Sequence, residues 1–577
     1  MPRTAIDFRV YRAGFFPALA AVVVLLFALQ APPPPLPPVV APAEFDQAAA
    51  AKLARQIVDV GPARTPGSSD DAAVAELVER RFRAVSEGEV ATQSFTSNGK
   101  DLRNVILTLP GESSHSVVVL AARDSSSGPG AASSAAATAT LLELVDQLRT
   151  SRHTKTLVFV STDGASDGAT GARQFADQLP QAHAIDGAIV VWQPGSSAPH
   201  QPFLMDDSDG PQSPSAQLVR TAERALTDQA GSKPRGEGLF GELTQLALPA
   251  GLGEQAVLIQ HGIDAIGLSS AGERPLAVSA DQLEDLSPAT LGDIGRTALL
   301  LVATLDGAPT SPEHGPDAYL NLGGNLIPAW TLALLALCLL LPAALAALDG
   351  LRRAARSRSG AGWALAWAAS RAAPPFVALL FLYLLALIGI VARPAFPFDP
   401  NRFGVGAGQI IVMAILALIV LAGYYGIRGW RVPAALPSSA AAPALGVVAA
   451  LAVLLAWLTN PYLPLLLVPA AHVWLLAARK RGASSLPLAT GAAVLSLLPI
   501  LAAVDHLAGR VDLGSDAPWE LILMVADGQI PLGSLAALCL LVGGLIGTVA
   551  LAGRGHADLD IFPIAEQGAD DDLGIEG

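Results

Sequence analysis

The sequence predicts two architectures in one chain: an α/β domain built on a mixed, mainly parallel sheet flanked by helices, and an α-helical transmembrane bundle. Three observations carry this expectation. The 577 residues are 52% hydrophobic and only 15% charged, with a mean hydropathy of +0.46, too apolar for an ordinary soluble protein of this length. Residues 44–306 alternate short β-branched runs with stretches of helical periodicity, whereas after about Leu326 the chain becomes a series of long apolar runs. Basic residues then gather in every second connection between those runs, as they do in cytoplasmic loops.

Residues 1–31 hold the first apolar run, Ala13 to Gln30, behind Arg3, Arg9 and Arg12. It is just long enough to cross a bilayer, with the N-terminus on the cytoplasmic side. A cleaved signal peptide is the competing reading, but "FALQAPPPP" offers a poor small-x-small cleavage site, which favours an uncleaved anchor. The tract "APPPPLPPVVAP" makes residues 32–43 an extended spacer.

Residues 44–310 are expected to form the α/β domain. Ala48–Val60, Asp70–Arg83, Ala135–Leu148, Thr170–Gln178, Ser213–Asp228 and Ser287–Leu305 read as helices. Val90–Phe95, Asn104–Leu109, Val117–Ala121, Thr156–Ser161, Ala184–Trp192 and Asp264–Leu268 read as strands, several of them continuous and β-branched like strands buried on both faces.

Residues 326–552 are expected to contain seven spans, near 326–348, 374–392, 406–427, 441–458, 462–478, 486–504 and 531–552. Arg352, Arg353, Arg356 and Arg358 fill one connection, Arg428 and Arg431 another, and Arg479, Lys480 and Arg481 a third; Arg554 follows the last span. With both termini inside, residues 32–325 lie outside the membrane. Arg greatly outnumbers Lys and Ala is abundant, a composition that suggests a GC-rich bacterial genome and hence a bacterial plasma membrane. Asp505, His506 and Asp527 fall at the outer edge and read as solvated, while Pro518 to Gly528 is too short to span and reads as interfacial. Residues 553–577 read as a disordered acidic cytoplasmic tail.

Composition also excludes. A net charge of −14 argues against a nucleic-acid partner. Both cysteines, Cys338 and Cys539, lie inside apolar runs, so the polar region holds neither a disulfide framework nor a thiolate metal site. The spans carry almost no ionisable residue at mid-depth, which disfavours a transporter with an accessory outer domain.

Five ordered signposts in the polar region resemble the zinc aminopeptidases of the M28 type. They are "ARTPGSSDDAAVAELVERRF" from Ala63, "NVILTLPGE" from Asn104, "LAARDSSSGPGAASSAAATATLLEL" ending at Leu144, "KTLVFVSTDGASDGATGARQFA" from Lys155, and "GEQAVLIQHGIDAIGLSS" from Gly253. The resemblance implies two zinc ions held by His and carboxylate ligands, with a Glu taking the proton from the attacking water. Its ligand positions are altered here. The His of A-H-x-D is Ala122, the bridging Asp is Ser133, and the two Glu positions are Ala165 and Ser166. The Asp after the next strand falls near Trp192, the S-D-H triplet has become Gly253-Glu254-Gln255, and the final His after Ser270 has no counterpart. Asp124, a residue that orients a ligand in such enzymes, keeps its place, and Asp163 persists as a strand-end turn or cap. Ala has no lone pair and a neutral Ser is a feeble zinc ligand, so no cofactor, no tightly bound zinc and no peptidase turnover are expected.

Other chemistry is disfavoured by spacing. Ser125–Ser127 lack a nucleophile elbow or an evident His partner. His115, His153, His183, His200, His261 and His314 stand singly and read as structural. Asp206, Asp207 and Asp209 lack the Glu of a calcium loop and read as a solvated acidic turn. The plan of one N-terminal span, a metal-free outer domain and about seven further spans also resembles the attachment subunit of the GPI transamidase complex. The expected role is a polytopic membrane pseudopeptidase whose partners are the lipid bilayer, membrane-protein complex partners and a peptide or lipid-linked ligand. The alternatives are a membrane-anchored zinc hydrolase with relocated ligands, and a transporter.

Overall fold

The computed structural model describes residues 7–39, 44–179, 184–197, 202–231, 233–234, 236–357, 360–426, 436–477 and 486–552. His183, His200, the acidic tail and the basic residues Arg3, Arg358, Arg428, Arg431, Arg479, Lys480, Arg481 and Arg554 lie outside them.

The polar domain is one seven-stranded sheet: β1 (Glu89–Ser97), β2 (Lys100–Leu109), β3 (Ser116–Ala122), β4 (Thr156–Thr162), β5 (Ile185–Val191), β6 (Phe203–Met205) and β7 (Ala265–Ser269), in the order β1-β2-β4-β3-β5-β7-β6. The four central strands run parallel and both edges are antiparallel. Asn98 and Gly99, both at positive φ (50° and 73°), make the tight β1–β2 hairpin that an Asn-Gly pair favours. Along β3 the apolar run serves both faces. Val117, Val119 and Ala121 enter the core beneath the Gln47–Val60, Ser134–Leu148, Ala216–Ala230 and Pro288–Gly307 helices. Val118 and Leu120 enter a second core beneath Thr170–Asp177 and Glu254–Gln260. Side-chain caps start several helices: Asp46 accepts from the N–H of Ala48 and Ala49, Ser68 from Asp71, and Ser287 from Thr290.

Each expected strand and helix of this domain forms, within three residues of its predicted ends except β2, which starts four residues earlier, at Lys100. Sequence reading missed β6, the Leu239–Ala247 and Glu254–Gln260 helices, and a hairpin of β8 (Tyr319–Leu322) and β9 (Asn325–Pro328). The proline tract is extended, but it does not stand free as a spacer. It straps along the Ala216–Ala230 helix, where Arg220 donates to the carbonyls of Pro32 (3.2 Å) and Pro33 (3.0 Å) and Gln217 to that of Pro34 (2.8 Å).

All eight expected apolar segments contain helices. Among the described residues six helices are long and apolar enough to cross a membrane: Phe8–Phe27, Ala329–Arg356, Ala361–Leu387, Ala407–Gly426, Ser439–Thr459 and Leu532–Ala552. A seventh span forms if Pro487–Leu495 and Leu498–Arg510, bent by 46°, count as one. Leu463–Ala477, as far as it is described, covers about 22 Å at about 1.5 Å per residue, short of a hydrocarbon core of about 30 Å. The Ala329–Arg356 helix runs through Arg352, Arg353 and Arg356, so these basic residues extend a helix and do not form a loop.

The α/β domain sits on one end of this bundle. Asn460 donates to the carbonyl of Leu246 (2.7 Å), His506 pairs with Glu237 (2.9 Å) and Asn401 donates to that of Pro275 (2.8 Å). These contacts come from the connections poor in positive charge. They correct the expectation for two outer residues: His506 pairs with the α/β domain, while Asp527 accepts from the Phe396 N–H (3.4 Å) within the membrane half.

Candidate functional site

At the carboxyl ends of β3, β4 and β5 lies a cleft of about 620 Å³, where open α/β sheets place their chemistry. Ala122, Asp124, Ser133, Ala165, Ser166 and Trp192, read from separate motifs, all line it. Gln255 does not; its amide donates to Asp207 (3.1 Å) behind the cleft.

The polar groups that remain are committed to the protein itself. Asp124, 3% exposed, accepts from the backbone N–H of Ala165 (2.9 Å) and Ser166 (3.1 Å) and from the Ser166 hydroxyl (2.8 Å). It thus pins the loop that would carry the general base. Burial, reinforced by nearby Asp71, pushes its carboxyl above the usual range, and the three donors pull it back in part. Ser133 donates to Asp281 (2.5 Å), whose carboxylate also takes the N–H of Ala132 (2.7 Å) and Ser133 (3.0 Å) at the start of the Ser134–Leu148 helix. Asp281 therefore does the capping that Ser133 leaves undone. Burial raises its pKa as well.

Two arginines tie the cleft floor together, both fully buried. Arg64, from the Pro-Gly turn motif, donates to the carbonyls of Gly61 (2.6 Å), Arg123 (2.8 Å) and Pro129 (2.9 Å) and to the Ser134 hydroxyl (2.9 Å). Burial with no carboxylate in contact lowers its pKa to about 10. Arg123 meets Asp71 (2.8 Å) and Asp163 (3.0 Å). One cation stands between two carboxylates here, and burial pushes Asp163 up to about 8. Asp163 is thus part of a buried ion cluster, more than a turn cap. Glu254 keeps a carboxylate in the altered triplet, but it is 1% exposed, faces Thr162 and does not line the cleft. Burial pushes it up to about 8.

The roof comes from the membrane half, which sequence reasoning did not anticipate. Pro397, Phe398 and Asp399, between two spans, line the cleft. Gly168 donates its N–H to the Pro397 carbonyl (3.1 Å) and Arg173 donates to that of Phe396 (2.8 Å). Beside the cleft the Asp206–Asp209 segment is no solvated turn. Arg510, from the end of the bent span, reaches Asp207 (3.0 Å) and Glu273 (2.9 Å), and all three side chains are buried. Burial and mutual repulsion raise Asp206 to about 7. Asp209 also reaches about 7 and Glu273 about 8, with burial the main cause in both.

The two zinc ions implied by the resemblance do not fit this donor set. The alanines offer nothing, Ser133 gives its proton to Asp281, and Asp124 already accepts three hydrogen bonds. Among the described residues no group of three or more His, Cys, Asp or Glu is placed to hold a metal ion. The described histidines lie away from the cleft on structural partners: His115 on Asp186 (2.8 Å), His153 on Asp306 (3.1 Å), His261 on Asp177 (3.3 Å) and His314 on Asp264 (3.2 Å). Ser125 donates to the Gly128 carbonyl (2.9 Å), and no His lines the cleft beside it.

No curated protein matches the chain. Among solved structures it is similar to a zinc aminopeptidase from Bacillus subtilis, at 14% identity over 48% of this chain and 99% of that one (TM-score 0.39). It is also similar to a glutaminyl cyclase from an Acidobacteriales bacterium, at 17% identity over 47% and 98% (TM-score 0.38). A leucine aminopeptidase precursor from Bacteroides thetaiotaomicron matches at 16% identity over 46% and 99% (TM-score 0.37). The sequence profile described as peptidase family M28 matches residues 104–302. The α/β half of this chain, with its mixed sheet and altered cleft, carries an M28 peptidase domain at those residues.

Proposed function

We propose that this is a polytopic membrane protein whose M28 domain binds or presents a peptide or lipid-linked substrate, or scaffolds a membrane complex, without hydrolysing it. The observation that carries the reading is the state of the cleft: an open space remains, while Asp124 and Asp281 are spent on the protein's own loops. A cavity with its reactive groups withdrawn suits recognition, with catalysis left to a partner. The charge pattern supports a plasma-membrane location with both termini cytoplasmic and residues 32–325 outside. The connections that pattern assigns to the outer side are the ones that touch the α/β domain, which favours the same orientation.

The test is elemental analysis of the purified full chain for zinc, with aminopeptidase turnover assayed before and after chelation. The expected result is far less than one zinc per chain and no turnover above a blank. Near-stoichiometric zinc with chelator-sensitive turnover would replace this reading with that of a membrane-anchored hydrolase whose ligands are relocated.

A further inference from the structure

A second cavity adjoins the cleft and shares Leu252 and Phe398 with it. Its remaining lining comes from Ala250, the Phe396–Pro400 loop, the Leu498–Arg510 and Ala517–Asp527 helices and Val511 and Leu513 between them, and one charged residue, Glu520, interrupts an otherwise apolar wall. Glu520 is 4% exposed and neither of its oxygens has a hydrogen-bond partner. On the other side of Phe398, Asp399 lines the cleft, 2% exposed; one of its oxygens accepts from the Asn401 N–H (2.9 Å) and the other has no partner. The two residues line adjoining cavities, and the negative charges of Asp516 first and Asp399 after it disfavour ionised Glu520. Arg274, the cation that offsets Glu520, spends its guanidinium on Asn401 (2.9 Å) and Asp512. The charged residues lining the cleft are all acidic: Asp124, Asp281 and Asp399.

Buried carboxylates without partners are costly, and a cation placed between them relieves both desolvation and repulsion. An apolar chamber walled by membrane-half helices suits a hydrocarbon chain. We propose that the site takes an amphiphile drawn from the bilayer, with a protonated amine head between Asp399 and Glu520, an apolar chain in the second cavity, and any further head-group atoms in the M28 cleft. Leu252 and Phe398 form the neck between head and chain. This rests on the reading of the cleft as a binding site.

The experiment is calorimetric titration of the detergent-solubilised full chain with octylamine, 1-octanol and ethylamine. Octylamine is expected to bind at least tenfold more tightly than octanol, which lacks the charge, and than ethylamine, which lacks the chain. Asp399→Asn and Glu520→Gln, both close in shape to the original, should each weaken octylamine about tenfold and leave octanol unchanged, so that retained octanol binding reports an intact cavity. Leu252→Trp, filling the neck, should weaken octylamine and octanol but not ethylamine. Equal binding of octylamine and octanol, or an amine preference that survives in the Asp399→Asn/Glu520→Gln double variant, would overturn the amine assignment. Ethylamine binding as tightly as octylamine would overturn the chain assignment. A zinc-loaded, active chain that still prefers octylamine would refute the non-catalytic reading alone, whereas a metal-free chain indifferent to amines would refute only this one.

Discussion

Asp124 is a cleft residue whose carboxylate is committed to the protein's own loop. Its three donors fix the Ala165–Ser166 loop, so Asp124→Ala should cost about 1–3 kcal/mol by stranding buried N–H groups, read as a lower denaturation midpoint of the full chain. Glu254 presents the opposite case, a carboxyl held up at about 8 by burial against an ordinary value of 4.5. The folded state keeps its proton while the unfolded chain ionises, so wild-type stability falls as pH rises from 4.5 to 8. Glu254→Gln should therefore melt higher than wild type by a margin that widens from pH 5 to pH 8 and is constant above. His153 shifts stability in the same direction with pH, but as a group that stabilises when charged. Burial pulls it down, but hydrogen bonds to Asp306 and to the Leu148 carbonyl outweigh that and raise it above 6.5. Its contribution is whole below 6.5 and fades as pH climbs through the raised value, so the melting deficit of His153→Asn should shrink between pH 5.5 and pH 9.

At the scale of elements, legibility followed contiguity. β3 and β4 announce themselves as unbroken β-branched runs because both faces are buried, and the loops that follow them carry motifs in one stretch of chain. Hence six of the cleft's lining residues were readable. β6, three residues long, has no period to detect. Asp281 reaches Ser133 across 148 residues and Asp399 arrives from between two spans, so neither leaves a local trace. The Asp206–Asp209 turn was misread for the same reason: its counter-charge, Arg510, lies 303 residues away. The roof depends on one backbone detail. Gly168 has φ of 81°, and a Cβ there would stand 2.7 Å from the Cβ of Ala395. Gly168→Val should lift the 395–399 segment, seen as faster hydrogen exchange in that peptide with the spans unaffected.

For the whole molecule, the junction between the halves is electrostatic as much as apolar. Arg510→Met would leave Asp207 and Glu273 buried without their cation, and a loss of about 3–5 kcal/mol is expected, with protease nicking near residues 206–209 and 270–276 as the local readout. Orientation is testable separately. In a chain with Cys338 and Cys539 replaced by Ala, a membrane-impermeant maleimide applied to intact cells should label Asp512→Cys and spare Arg352→Cys. The reach of Arg510 also puts the site on a clock. The ribosome completes β7 and the Glu273 loop well before it makes Arg510, roughly ten to fifty seconds earlier at about 5–20 residues per second. During that interval the outer domain is whole in sheet and helices yet roofless, its acidic patch unmatched. Whatever first meets the nascent cleft meets a different surface from the one the finished protein presents, so maturation of the binding site waits on the last third of translation.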